Sequence, residues 1–176
     1  LRCIFFLTNL IEHGMISNNQ REIHMIHIET NGGLKKERKM AEDVMWFCLE
    51  VLMPRMRKLD IELKFTKTMN EGAYGYAYMG ENKKDLIIEV DHKLGRNEGQ
   101  DKLIETLTHE MVHIWQFATG RLKDNFQGGY KQLWKCKDGK YRNYNKTSYD
   151  RQPWEIEAYA LEGKLAELYK KSEINC

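Results

Sequence analysis

Residues 109–113 of this 176-residue chain read His-Glu-Met-Val-His, inside a stretch whose apolar residues recur at helical spacing. Leu103, Leu107, Met111, Ile114, Trp115 and Ala118 form one stripe, which predicts a helix over about 101–118 with Gly120 as its stop. Four residues apart on a helix, His109 and His113 share one face, about one turn from each other. Two neutral imidazole nitrogens so placed can bind one Zn²⁺ at roughly 2.0–2.1 Å each. Glu110 points about 100° away, clear of the ion but within reach of a water on it. The bland alternative is two helical histidines that pack or hydrogen-bond, with Glu110 at the surface.

A catalytic zinc needs a third protein ligand and one open position. The remaining histidines, His13, His24, His27 and His92, all precede the motif. Gln116 and Thr119 stand where an elongated motif would carry Gly and a third His. The third ligand is therefore expected to be a carboxylate from a second helix. Pro153-Trp154-Glu155-Ile156-Glu157-Ala158 opens such a helix, with proline at a favoured first position, and it runs to about Lys171. The stripe Trp154, Ala158, Leu161, Leu165 and Leu168 puts Glu157 about 60° from its centre and Glu155 about 100°. Helical periodicity thus favours Glu157, and Glu155 could instead cap the helix.

The rest of the chain sets limits. Its length suits one domain able to bury a core without disulfides. Cys3, Cys48, Cys136 and Cys176 are scattered, with no C-x-x-C pair, so neither a zinc ribbon nor a disulfide framework is read. No apolar run reaches the ~18 residues of a membrane span, and no signal peptide is read at the start, so a cytoplasmic location is expected. Residues 1–33 read as an N-terminal arm of uncertain structure, and 34–176 as the functional domain. A helix is expected over about 34–58, then strands at 61–66, 74–78 and 86–90, the last an interior strand. Tyr74, Tyr76 and Tyr78 alternate in the second, lining a groove or facing one side of a sheet.

Net charge is only +2, so nucleic-acid binding would need a local patch. Residues 130–151 supply one: Lys131, Lys135, Lys137, Lys140, Arg142, Lys146 and Arg151 against Asp138 and Asp150. Tyr130, Trp134, Tyr141, Tyr144 and Tyr149 interleave, a mixture that can meet phosphates and stack on bases. The bland reading is a solvated hairpin turning near Asp138-Gly139, with some aromatics packed inward.

The stretch Leu107-Thr108-His109-Glu110-Met111-Val112-His113-Ile114-Trp115-Gln116 resembles the zinc helix of SprT-like metallopeptidases, and Gly72-Ala73-Tyr74 and Leu86-Ile87-Ile88 resemble their preceding strands. Glu155-Ile156-Glu157-Ala158 is similar to the ligand segment of gluzincins. The likeness covers roughly residues 60–170. It implies an α+β, zincin-like (minigluzincin-like) fold and zinc-dependent peptide hydrolysis. His109, His113 and Glu155 would be metal ligands, Glu110 the general base, and Tyr159 would take the place of the residue that orients a ligand histidine. The chain departs from the gluzincin pattern at Tyr159, where Asp or Asn is usual. It departs from SprT-like proteins in lacking a downstream histidine and a cysteine zinc ribbon. The expected partner is a peptide or protein substrate. The rivals are a DNA-associated protease using residues 130–151 and a non-catalytic, zinc-stabilised binding module.

Overall fold

The computed structural model describes residues 25–69, 72–80, 85–126 and 130–174. Its elements run β1 (Met25–Asn31), α1 (Lys35–Leu52), β2 (Lys58–Thr66), β3 (Gly75–Met79), β4 (Asp85–Asp91), a short α2 (Leu94–Asn97) and α3 (Gln100–Ala118). Then come β5 (Leu122–Asn125), β6 (Lys131–Lys135), β7 (Tyr141–Asn143), a 3₁₀ turn (Tyr149–Arg151) and α4 (Pro153–Ile174).

The main sheet has the order β1-β2-β4-β3. β1 and β4 pair with β2 in parallel, and β3 pairs with β4 antiparallel. Two parallel strands need a crossover, and α1 provides it between β1 and β2. Alternation in the sequence becomes two faces: Leu59, Ile61, Leu63 and Phe65 of β2 and Leu86, Ile88 and Val90 of β4 are buried. Against them pack Val44, Met45, Cys48 and Leu49 of α1 and Leu103, Leu107, Met111 and Ile114 of α3. Each such fully buried side chain contributes about 1.5–3 kcal/mol of transfer free energy, so α3 is clamped to the sheet along its length. α4 packs on the other side of α3, where Ala158, Leu161 and Leu165 surround Val112. The result is a mixed α+β architecture in which α3 is covered on both sides.

Of the segment read as an arm, residues 1–24 lie outside the described residues, while 25–31 form β1. The half-buried Ile26 and Ile28 alternate with the exposed His27 and Glu29. Two apolar residues are too short a pattern to stand out as a strand from sequence. Residues 121–151 are more regular than a long loop with one hairpin: β5, β6 and β7 form a second, antiparallel sheet. Gly139, at φ +80°, makes the expected turn. Gly120, at φ +68°, ends α3 in the left-handed conformation that glycine adopts without strain. No helix among the described residues is long and apolar enough to cross a membrane. Cys48 and Cys136 are free thiols.

Candidate metal centre

The polar side of α3 meets the first turns of α4, and there the chain buries charge. His109, Glu110, His113 and Glu155 are each less than a tenth exposed. The His109 and His113 Nε2 atoms lie 3.1 Å apart. Glu155 places Oε2 3.3 Å from His109 Nε2 and Oε1 3.5 Å from His113 Nε2. One ligand atom from each of the three residues falls within 4.8 Å of the others, so this group could hold a metal ion.

The surrounding hydrogen bonds decide which ring nitrogens are available. His109 Nδ1 lies 2.5 Å from Glu162 Oε2. His113 Nδ1 lies 2.8 Å from Gln116 Oε1. Both partners accept, so both rings carry a proton on Nδ1 and turn Nε2 inward. Two Nε2 atoms and a carboxylate brought this close call for a cation among them, a proton in the metal-free protein or a metal ion. Glu155 Oε2 is buried without a hydrogen-bond partner in this state. This donor set fits a divalent metal bound by two imidazoles and a carboxylate.

The titration behaviour points the same way. Burial disfavours a charged His109, yet the neighbouring Glu155 and Glu162 carboxylates outweigh it and raise its pKa to about 10. Burial raises Glu155 too, but the facing His109 and His113 rings bring it down to about 2. The pocket thus holds a proton where a metal would sit. Glu110 is shifted upward, first by its burial, against the pull of His113 and His109.

Glu110 does not join the donor cluster; it points towards the edge strand. A Cβ placed on Gly75 would stand 2.8 Å from Glu110 Oε1 and 2.9 Å from Thr106 Cγ2. Glycine is therefore what lets β3 pass directly over the carboxylate. Between β3 and the second sheet runs a cleft of about 650 Å³, with Glu110, His113 and Glu155 at its floor and Tyr76, Tyr78, Phe126, Tyr130 and Tyr149 among its lining residues. Tyr78 donates to Glu89 (2.7 Å).

Glu155 stands at the cluster; Glu157, which periodicity favoured, accepts instead from Gln116 Nε2 (3.1 Å) and pairs with Arg121 (2.6 Å). The misleading residue is Leu168. The buried stripe of α4 comprises Trp154, Glu155, Ala158, Leu161, Leu165, Ala166 and Tyr169. Its centre lies about 55° from Glu155 and about 105° from Glu157. Tyr159 is not hydrogen-bonded to His109; its half-exposed ring lies tilted at 58° beside the His109 ring, centroids 5.0 Å apart. Glu162 is the carboxylate that orients His109, and sequence reasoning missed it. The available signal was spacing: seven residues after Glu155, it returns to the same helical face within about 20°.

The basic segment divides. Trp134 and Tyr144 turn inward against Trp154, and the Tyr141 hydroxyl donates to the Gly120 carbonyl. Arg142 is paired with Asp138 at 2.6 Å. Tyr130 and Tyr149 are exposed, and both line the cleft. Lys135, Lys137 and Lys140 are exposed around the turn.

The SprT-like family profile matches residues 47–149, more than half of the chain, from α1 through the motif to the 3₁₀ turn. No curated protein and no solved structure matches the chain.

Proposed function

The chain belongs to the SprT-like family, and on that premise we propose that it is a zinc-dependent metallopeptidase, with His109, His113 and Glu155 as ligands and Glu110 as general base. The chief support is the pair of committed Nδ1 atoms, which leaves both Nε2 atoms and a partnerless carboxylate oxygen facing one point. A bound Zn²⁺ supplies a Lewis acid there and a water of lowered pKa. Glu110 takes the proton of the attacking water and delivers it to the leaving amine. Its upward-shifted carboxyl suits a group that must both accept and release that proton. His109 is kept in register by Glu162.

The substrate is an extended peptide added to the open edge of β3. In the antiparallel β3–β4 ladder, the Tyr74 carbonyl accepts from Asp91 N–H and the Gly80 N–H donates to the Asp85 carbonyl. Alternation then turns the backbone groups of Gly75, Ala77 and Met79 outward, toward the cleft. The Met79 N–H is taken by Asp124 Oδ2 at 3.3 Å, so pairing is confined to Gly75 and Ala77. Glu110→Gln is the decisive test. It keeps zinc and abolishes peptide hydrolysis in a peptidase, whereas a zinc-stabilised binding module keeps its function.

The exposed Lys135, Lys137 and Lys140 support a second reading, contact with nucleic acid alongside peptide hydrolysis. Three phosphate contacts to single-stranded DNA give a log–log salt slope of about −2. No binding at low salt removes this reading and leaves the peptidase reading untouched.

A further inference from the structure

Gln116 takes no part in that chemistry, yet it is fully buried three residues beyond His113. Its Nε2 lies 3.0 Å from the Trp154 carbonyl and 3.1 Å from Glu157 Oε2. Both partners only accept, so the amide nitrogen must lie at that end. Oε1 is then the atom 2.8 Å from His113 Nδ1, and an amide oxygen cannot donate. His113 must carry its proton on Nδ1.

Glu157 is itself held in place. Its Oε1 pairs with Arg121 Nη2 at 2.6 Å. The guanidinium lies between two indoles, 4.7 Å from the Trp115 ring and 4.9 Å from the Trp134 ring. A run of polar contacts thus leads from β6 through Arg121, Glu157 and Gln116 to the His113 ring. The two histidines differ in kind: His109 meets a carboxylate, His113 a neutral amide. The amide holds the tautomer without adding a further negative charge beside Glu110 and Glu155.

We propose that Gln116 is the positioning residue for His113: its amide, fixed in sense by the Trp154 carbonyl and the Arg121-held Glu157, keeps Nδ1 protonated and Nε2 turned to the metal centre. The inference rests on the reading of His113 as a metal ligand. A filler role for Gln116 would need none of this directionality.

The test uses the full chain, Zn²⁺ alone, a chelator competition and ¹⁵N–¹H correlations of the ring nitrogens in the zinc-loaded state. The wild type shows protected Nδ1–H groups on both histidines. Gln116→Met, similar in volume but without an acceptor, loses the His113 signal and keeps that of His109, and its Kd for zinc rises about 10–100-fold. The exchange Gln116→Glu with Glu157→Gln puts an acceptor back on Nδ1–H and a donor at position 157. It restores the His113 signal and near wild-type affinity, which a space-filling role does not predict. A Gln116→Met protein with an intact His113 Nδ1–H and wild-type affinity overturns the proposal, as does failure of the exchange to recover either. Should Gln116→Met not fold, Glu157→Leu probes the same contacts from their far end. It is expected to weaken zinc binding, and unchanged affinity with an unchanged His113 signal overturns the proposal. Zinc binding without peptidase activity in the wild type sinks the functional reading alone; wild-type affinity in Gln116→Met sinks this inference alone.

Discussion

Glu162 Oε2 lies 2.5 Å from Nδ1 of His109, so the helix that supplies Glu155 also supplies the carboxylate that orients a histidine of α3. The Thr108 hydroxyl, donating to the Glu162 carbonyl at 3.2 Å, ties the two helices at the same level. α4 therefore contributes to the metal centre twice, seven residues apart.

Three carboxylates of α4 should separate by role. Glu155→Ala removes a ligand and should nearly abolish zinc binding. Glu162→Ala removes only the orienting contact and should weaken binding about 10–100-fold. Glu157→Ala, two bonds removed from His113, should weaken it less than either. Chelator-competition titrations rank the three, and a Glu157→Ala defect as deep as that of Glu155→Ala contradicts the assignment.

Metal content follows from the donor set. Purified protein should hold about one zinc per chain. His113→Ala should lose it, together with the stabilisation a folded-state ligand confers, about 2.7 kcal/mol at a free-metal concentration one hundred times Kd. Elemental analysis and paired thermal melts, with and without zinc, check both. A wild type that takes up no metal refutes the centre.

Glu110→Gln should bind zinc like the wild type, because Glu110 stands outside the donor cluster. Its peptidase activity should fall by at least about 10²–10⁴, the usual contribution of a positioned base. Residual activity close to wild type would assign the proton transfer elsewhere.

Gly75→Ala tests the close passage of β3. The new Cβ would stand 2.8 Å from Glu110 Oε1, so the strand or the carboxylate must shift. Displacing a reacting group by about 1 Å can cost 10²-fold in rate. Activity should drop sharply while zinc content holds, and equal losses of both would mean that the helix, not the carboxylate, had moved.

The pH dependence has a definite sign. In metal-free protein the His109 pKa is raised to about 10. Its stabilising contribution is then fully present below the unfolded value of about 6.5 and is lost as pH rises through about 10. Glu155, lowered to about 2, contributes above its unfolded value of about 4.3 and loses that as pH falls through about 2. Zinc must displace the His109 proton, so its affinity should climb with pH, up to tenfold per unit for each proton released. Metal-free melts near neutrality and near pH 10, with competition titrations at several pH values, check both slopes. A zinc affinity that is flat with pH contradicts this account.

The motif helix was legible because its pattern is local: six apolar residues at helical spacing gave α3 to within a residue at its start, and the His109–His113 spacing fixes their shared face. The strands β2 and β3 were legible from alternation, and β4 from its short apolar run. β1 was not, because it is completed by its partner β2 rather than by its own pattern. The second sheet was read as one hairpin because β5 is short and polar. The choice between Glu155 and Glu157 turned on which residues α4 buries, and Tyr169 and Ala166 outweigh Leu168 only once the fold brings α1 and α3 against them. Gln116 offered no signal as an orienting group, since its role depends on the Trp154 carbonyl and Glu157, both distant in sequence.

The proposed ligands His113 and Glu155 bracket the whole second sheet, so an ion bound to both would close a loop of about 42 residues, whose closure entropy is about 3 kcal/mol by the logarithmic law. The metal then acts as a clasp on a ring of chain. Opening it removes one tether from β5–β7, while α4 keeps its packing on α3 through Ala158, Leu161 and Leu165. On chelation, amide exchange should accelerate across residues 122–151 well before it does in β2 and β4. The wall of the cleft would thus loosen from its floor, coupling the shape of the cleft to occupancy of the centre.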